Sequence, residues 1–243
     1  MTLTQGWVAG VDGCRAGWVV VLLETSTGAS RLLGCTTFSE VLALPEQPKV
    51  IAVDVPIGLL DRGEPGGRAC DREARAILGR QGVRVFSSPT VPALEAYILG
   101  GDHVTVSDAN RASSGAGIGL SRQAFCIMNK ISEVDAEMTP QLQEVVYEIH
   151  PEVSFRRANE ESPLAEPKRG ASGRARRAAI VEELGFPTDR FLSRPRPLDS
   201  KPDDILDAAI ACWTASLIQN QSASSIPKSP PLSSRGLTMA IWH

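Results

Sequence analysis

Apolar residues in the early chain come in short unbroken runs, not in alternation with polar ones. Val8-Ala9-Gly10-Val11 runs into Asp12, and Val50-Ile51-Ala52-Val53 runs into Asp54. Apolar runs of this length, bounded by turn residues, predict strands covered on both faces. Between them, Gly17 to Leu23 is long enough to pair antiparallel with the first run, and residues 31–36 predict a third strand. Ser39 caps a short helix reaching Leu44, which Pro45 ends. A meander followed by crossover units predicts an α/β fold: a mixed sheet with helices packed on it.

Residues 56–140 read as a long excursion. Arg68 to Leu78 has helical spacing with charged neighbours four apart. Val83 to Phe86 predicts a strand, and Pro89 to Leu99 a helix. Residues 100–119, polar and rich in glycine, predict a mobile loop. Ser121 to Met138 predicts one helix with Ala124, Ile127, Met128, Ile131 and Val134 on its apolar stripe. Val145 to His150 restores the core as a strand, and Pro151 suits the first turn of the next helix. Arg174 to Leu184 is amphipathic, and Asp203 to Ile218 is the last clear helix. Residues 222–234, rich in Ser and Pro, read as loose, and Leu237 to Trp242 as an edge strand. The pattern predicts one domain over 1–243, with a helical insertion at 57–140.

Composition narrows the class. With 243 residues, 42% apolar and 22% charged, the chain suits a globular domain with a sizeable core. No apolar stretch is long enough to span a membrane, and the N-terminus lacks the layout of a secretory signal. Five scattered cysteines without a C-x-x-C pair argue against a disulfide framework or zinc cluster and for a reducing cytoplasm. The net charge of −3 does not announce nucleic-acid binding, although a local patch would suffice. Lys168, Arg169, Arg174, Arg176 and Arg177, continued by Arg190, Arg194, Arg196 and Lys201, form one candidate stretch. A solvated helix face with its linker is the simpler reading.

The chemistry lies in the carboxylates. Adjacent parallel strands place Asp12 and Asp54 at one sheet edge, where open α/β sheets bind ligands. Glu148 stands in the same relation to its own apolar run. Asp204 and Asp207 are three apart and Asp203 and Asp207 four apart, so either pair shares one side of a helix. Ordinary N-capping explains Asp203 well and Asp207 poorly, since Asp207 lies a turn further in. Two like charges about 4 Å apart repel by roughly 4 kcal/mol at an effective dielectric near 20. Several such groups in one pocket require relief by protonation or by a cation, and an all-oxygen site suits Mg2+ or Mn2+. Such ions, in pairs, hydrolyse phosphodiesters.

The segments V-A-G-V-D-G-C-R-A-G-W, I-A-V-D-V-P-I-G-L, L-S-R-Q-A-F-C-I-M-N-K-I-S-E-V-D, Y-E-I-H-P-E-V-S-F and D-D-I-L-D-A-A-I-A resemble a bacterial family of unknown function described as predicted ribonuclease H-like nucleases. The resemblance runs from Trp7 to about Trp213, with the R-G-L-T-M-A-I tail. It implies a ribonuclease H-like fold. The D-D-x-x-D-A helix is also similar to the closing helix of Holliday-junction resolvases. Carried over by position, Asp12 is the central ligand, Asp54 or Glu148 the second carboxylate, and Asp204 and Asp207 the helix ligands.

Three further residues are candidates for substrate binding. Arg15 follows Asp12 in a turn and suits a phosphate, or a structural pair with Asp12. Gln123 and Lys130 lie seven apart, on one face of the expected helix. His150 reads as a structural strand-end residue, Cys14 lacks a base partner, and Gly115-Ala116-Gly117-Ile118-Gly119 reads as a flexible helix entry. The leading expectation is a metal-dependent nuclease. The alternatives are a non-catalytic or small-molecule-binding ribonuclease H-like protein and, less favoured, an actin-like phosphotransferase, for which no second Asp-Gly-Gly loop exists.

Overall fold

The structure, a computed structural model, describes residues 6–115, 117–166 and 170–243. It contains two compact units. One comprises Met1–Asp54, Glu144–Ser224 and Trp242–His243; the other comprises Val55–Gln143 and Ser225–Ile241. The main strands are β1 (Trp7–Cys14), β2 (Gly17–Glu24), β3 (Ser30–Cys35), β4 (Val50–Val53) and β5 (Val146–Glu148). The α-helices, in chain order, are α1 (Phe38–Leu42), α2 (Ala69–Leu78), α3 (Val91–Ile98), α4 (His103–Ser113), α5 (Arg122–Cys126) and α6 (Met128–Glu137). They continue with α7 (Pro151–Ala158), α8 (Ala171–Glu183), α9 (Thr188–Leu192) and α10 (Pro202–Gln219).

The first unit is built on a five-stranded mixed sheet in the order β3-β2-β1-β4-β5. β1, β2 and β3 form the antiparallel meander, and β4 and β5 add in parallel beyond β1. β1 is therefore central, which explains why Val8, Ala9 and Val11 are wholly buried. Helices flank the sheet. α1 sets Phe38 against Trp18 of β2, with ring centroids 5.3 Å apart. α10 covers the other face, and Ile205 to Cys212 are buried without interruption. A helix buried all round has little amphipathic stripe, which its largely apolar sequence reflects.

Gly10 sets the distance between α10 and β1. A β-carbon there would lie 2.6 Å from the Cα of Cys212, and nearer still to Cys212 N and the Ala208 carbonyl oxygen. Only glycine permits so close an approach of helix backbone to strand backbone. The thiol of Cys212 reaches the Val8 carbonyl at 3.8 Å.

The second unit differs from the sequence pattern in three places. Val83 to Phe86 is no strand: a 3₁₀ helix spans Gly79–Arg84, and Val83 is 84% exposed. Gly82 permits this turn, because a β-carbon there would sit 3.0 Å from Arg75 Cα. The loop expected over 100–119 contains helix α4, nucleated by Asp102, whose carboxylate accepts the Thr105 N–H at 2.9 Å. Ala116 lies outside the described residues. The helix expected over Ser121 to Met138 breaks at Ile127 (φ −112°, ψ 11°) into α5 and α6.

A buried ion pair holds the start of α2. Arg68, 1% exposed, donates to Asp71 Oδ1 at 2.8 Å and to the carbonyls of Ile57 and Gly58 at 3.0 and 3.2 Å. Asp71 Oδ2 accepts the backbone N–H groups of Arg68 and Ser88 at 3.0 and 3.1 Å. Among the described residues, no helix is long and apolar enough to cross a membrane.

Candidate functional site

The parallel register of the first unit fixes where its carboxylates stand. β1 and β4 pair Val11 with Val53, and the Asp54 N–H donates to Val11 O at 3.1 Å. Asp12 and Asp54 therefore follow side by side at the next step. Side chains alternate between faces, so Val8, Gly10 and Asp12 share one face with Val50, Ala52 and Asp54. That is the face on which α10 lies, since it is Gly10 that meets Ala208 and Cys212.

The helix runs against β1. Val8 meets Cys212, and Gly10 meets the stretch from Ala208 to Cys212. From Gly10 to Asp12 the strand advances by about 6.6 Å, and four residues of helix span about 6 Å. The first turns of α10, with Asp204 and Asp207, thus arrive at the level of Asp12. Asp207 is 4% exposed, whereas Asp12, Asp54 and Asp204 are half-buried. Sequence and topology together collect Asp12, Asp54, Asp204 and Asp207 on one face.

Local bonds orient several of these groups. Asp12 Oδ1 accepts the N–H of Gly13 at 2.9 Å. Asp204 Oδ2 accepts the N–H of Lys201 at 2.9 Å, closing a capping box. Asp203 accepts from Arg174 Nε at 3.0 Å, and the N-cap position of α10 is Lys201. Among the described residues, no three of Asp12, Asp54, Asp204 and Asp207 bring ligand oxygens mutually within 4.8 Å. The four share a face without closing into a tight cluster.

Glu148 stands elsewhere. It pairs with Val53, not with Asp54, so its side chain takes the face of Val11 and Val53. A single residue of register separates the two outcomes. It is 5% exposed. His150 is half-buried, and its carbonyl accepts from Val153 and Ser154 at the start of α7.

Arg15 is exposed at the tip of the two-residue turn joining β1 to β2. In the second unit, the break at Ile127 removes the continuous helix that put Gln123 and Lys130 on one face. Lys130 is 7% exposed and donates to Glu133 at 3.3 Å, while Gln123 is exposed beside a cleft.

The arginine-rich stretch turns inward in part, while Arg190, Arg194 and Lys201 stay exposed. Arg177, 2% exposed, donates to both Glu152 oxygens at 2.8 and 2.9 Å and lies over the Phe155 ring. Arg176 donates to Asn159 at 2.7 Å, and Arg196 to the Ser200 carbonyl at 2.7 Å. Lys168 and Arg169 lie outside the described residues. Neither buried pair, Arg68–Asp71 or Arg177–Glu152, was foreseen. The Arg-x-x-Asp spacing of the first was a usable signal; Glu152 and Arg177 are too far apart in sequence to suggest the second.

Burial shapes the thiols. It pushes Cys35 up to about 11, with Glu40 and Glu46 adding to the shift, and it pushes Cys212 higher still. Both are poor nucleophiles at neutral pH.

The chain belongs to the family described as "Protein of unknown function (DUF429)", whose model matches residues 10–232. No curated protein and no solved structure matches it.

Proposed function

We propose that the first unit is a ribonuclease H-like, metal-dependent phosphodiesterase acting on nucleic acid. The observation that carries this reading is the shared face of Asp12, Asp54, Asp204 and Asp207, on neighbouring parallel strands and the helix packed over them. Carboxylates alone make a hard, all-oxygen donor set, which fits Mg2+ or Mn2+ and poorly fits zinc or copper. Bound there, such an ion lowers the pKa of water and neutralises charge on a phosphodiester. Asp12, on the central strand, would be the common ligand; Asp54 and Asp207 would flank it, with Asp204 at the helix start. Glu148, on the opposite face, is left out of this set. Exposed Arg15 would meet a backbone phosphate. Free cysteines suit a reducing cytoplasm.

The partnering of Arg176 and Arg177 favours a second reading, a small-molecule-binding or non-catalytic relative, because it leaves less positive surface for a polyanion. Incubation with branched, single-stranded and hybrid substrates in Mg2+ or Mn2+ separates the two. Cleavage that Asp12→Asn abolishes supports the nuclease. Cleavage that survives Asp12→Asn overturns the mechanism, and an absence of both cleavage and binding at low salt supports the second reading.

A further inference from the structure

The second unit contains a cleft of about 220 Å3, walled by the glycine turn at Gly63–Gly67, the segment Phe86–Thr90 and residues 118–123. Drug-sized ligands occupy roughly 300–1,000 Å3, so this cleft suits a single small ring system.

Its lining is mostly uncharged. Among the described residues lining it, Glu64 is the one ionisable side chain, and Arg72 Nη1 donates to Glu64 at 2.9 Å. No lysine or arginine stands among the described residues lining it, although Arg75 donates to the Gly66 carbonyl in the glycine turn and Arg111 lies against Gly119. The polar frame is fixed. Asn110 Oδ1 accepts from Thr90 N and Oγ1 at 3.0 and 3.1 Å, and its Nδ2 donates to the Ile118 carbonyl at 2.9 Å. The Ser88 N–H donates to Asp71. A rigid frame with mixed apolar and polar walls is a preformed site for a flat, hydrogen-bonding molecule.

Two side chains define which one. Phe86, half-buried, supplies an aromatic face. Gln123, exposed at the rim, supplies an amide oxygen and an amide NH2 side by side. That donor–acceptor pair matches the N6/N7 edge of adenine, and an unpaired base stacks on an aromatic ring. Ser121 Oγ accepts the Ala124 N–H at 3.1 Å, which leaves its hydroxyl hydrogen to donate.

We propose that this cleft binds one unpaired adenine base, with Phe86 against its ring and Gln123 on its edge. The base arrives either as a free nucleoside or within a single strand. The proposal goes beyond phosphodiester cleavage and does not depend on it.

Equilibrium dialysis of the full chain with labelled adenosine, in EDTA, tests it. Saturable one-to-one binding is expected, unchanged in Asp12→Asn. Gln123→Ala should weaken it by about tenfold, the scale of a bidentate base contact. Phe86→Leu, which keeps apolar volume and removes the ring, should weaken it comparably. 7-Deazaadenosine should bind less tightly than adenosine, and ribose should not compete. Competition by a short oligoadenylate would identify a strand as the source of the base; competition by the nucleoside alone would identify a free metabolite. No saturation in the millimolar range, equal competition by ribose, or full affinity in folded Gln123→Ala would overturn the proposal. Because EDTA removes divalent ions, failure here leaves the nuclease reading untouched, and the reverse also holds.

Discussion

Glu148 stands level with Val53, one residue short of Asp54, and that single step sends the two carboxylates to opposite faces of the sheet. A cation held by the Asp12 face should therefore ignore Glu148. Ligand at about 100 times its dissociation constant adds roughly 2.7 kcal/mol, or several degrees for a chain of this size. The melting temperature should rise by that amount in Mg2+ or Mn2+. Asp12→Asn and Asp54→Asn should abolish the rise, and Glu148→Gln should keep it. Differential scanning fluorimetry against metal concentration checks all three; a rise lost only in Glu148→Gln would reassign the ligand set.

Gly10 is a second sensitive point. Gly10→Ala forces its methyl into the backbone of α10, which cannot move without disturbing β1, β2 and β4. Overpacking of a core costs about 1–3 kcal/mol, and contact with backbone places this substitution at or above the upper end. Urea unfolding should show a lower midpoint at unchanged slope.

The pair Arg177–Glu152 is buried on both sides. Arg177→Ala would take the guanidinium away from a buried carboxylate and cost about 3–5 kcal/mol. Replacing both by methionine should recover most of that loss, since an apolar pair avoids the desolvation penalty. Equal destabilisation in the double variant would show that the charges themselves stabilise the unit.

Asp71 predicts a pH dependence. Burial pushes its carboxyl up, but the Arg68 guanidinium, with hydrogen bonds from Arg68 and Ser88, outweighs this and holds it below its ordinary value. A depressed folded pKa stabilises above the unfolded value, about 3.9, and that stability is lost as pH falls through the folded one. Asp71→Asn should therefore be less stable than wild type at neutral pH, with the gap closing in acid below about pH 4. Melting curves across the acid range check it, and a constant gap would refute it.

Thiol titration of the native chain should label Cys126 first. It is the exposed cysteine, whereas Cys14, Cys35, Cys70 and Cys212 are buried. Fast labelling of Cys212 would contradict the packing of α10.

Much of this fold is legible in the sequence where burial is one-sided or complete. Unbroken apolar runs located β1, β2 and β4, and the apolar length from Asp203 to Ile218 located α10. The same completeness hid the faces. A strand buried on both sides carries no polar alternation, so nothing in Val145 to His150 tells which side Glu148 takes. Helix α4 was hidden differently. Its segment H-V-T-V-S is β-branched and weakly helical, and the helix forms because Asp102 caps it and Val106 and Asn110 are buried. The break at Ile127 is likewise not written in the local pattern, since Ser121 to Met138 reads as one continuous stripe. Asp12, Asp54, Asp204 and Asp207 were legible because each follows or opens an apolar segment. The cleft beside Gln123 was not, because its walls come from segments that no local pattern connects.

Val8 and Cys212 touch across a separation of 204 positions. β1 thus leaves the ribosome well before the helix that roofs it, 204 positions further along the chain. Until that helix is made, the apolar side of the nascent sheet stays open, a state prone to sticking to other chains. Synthesis time, and any chaperone that shields the unfinished sheet meanwhile, should therefore bear on how much of this protein reaches the folded state.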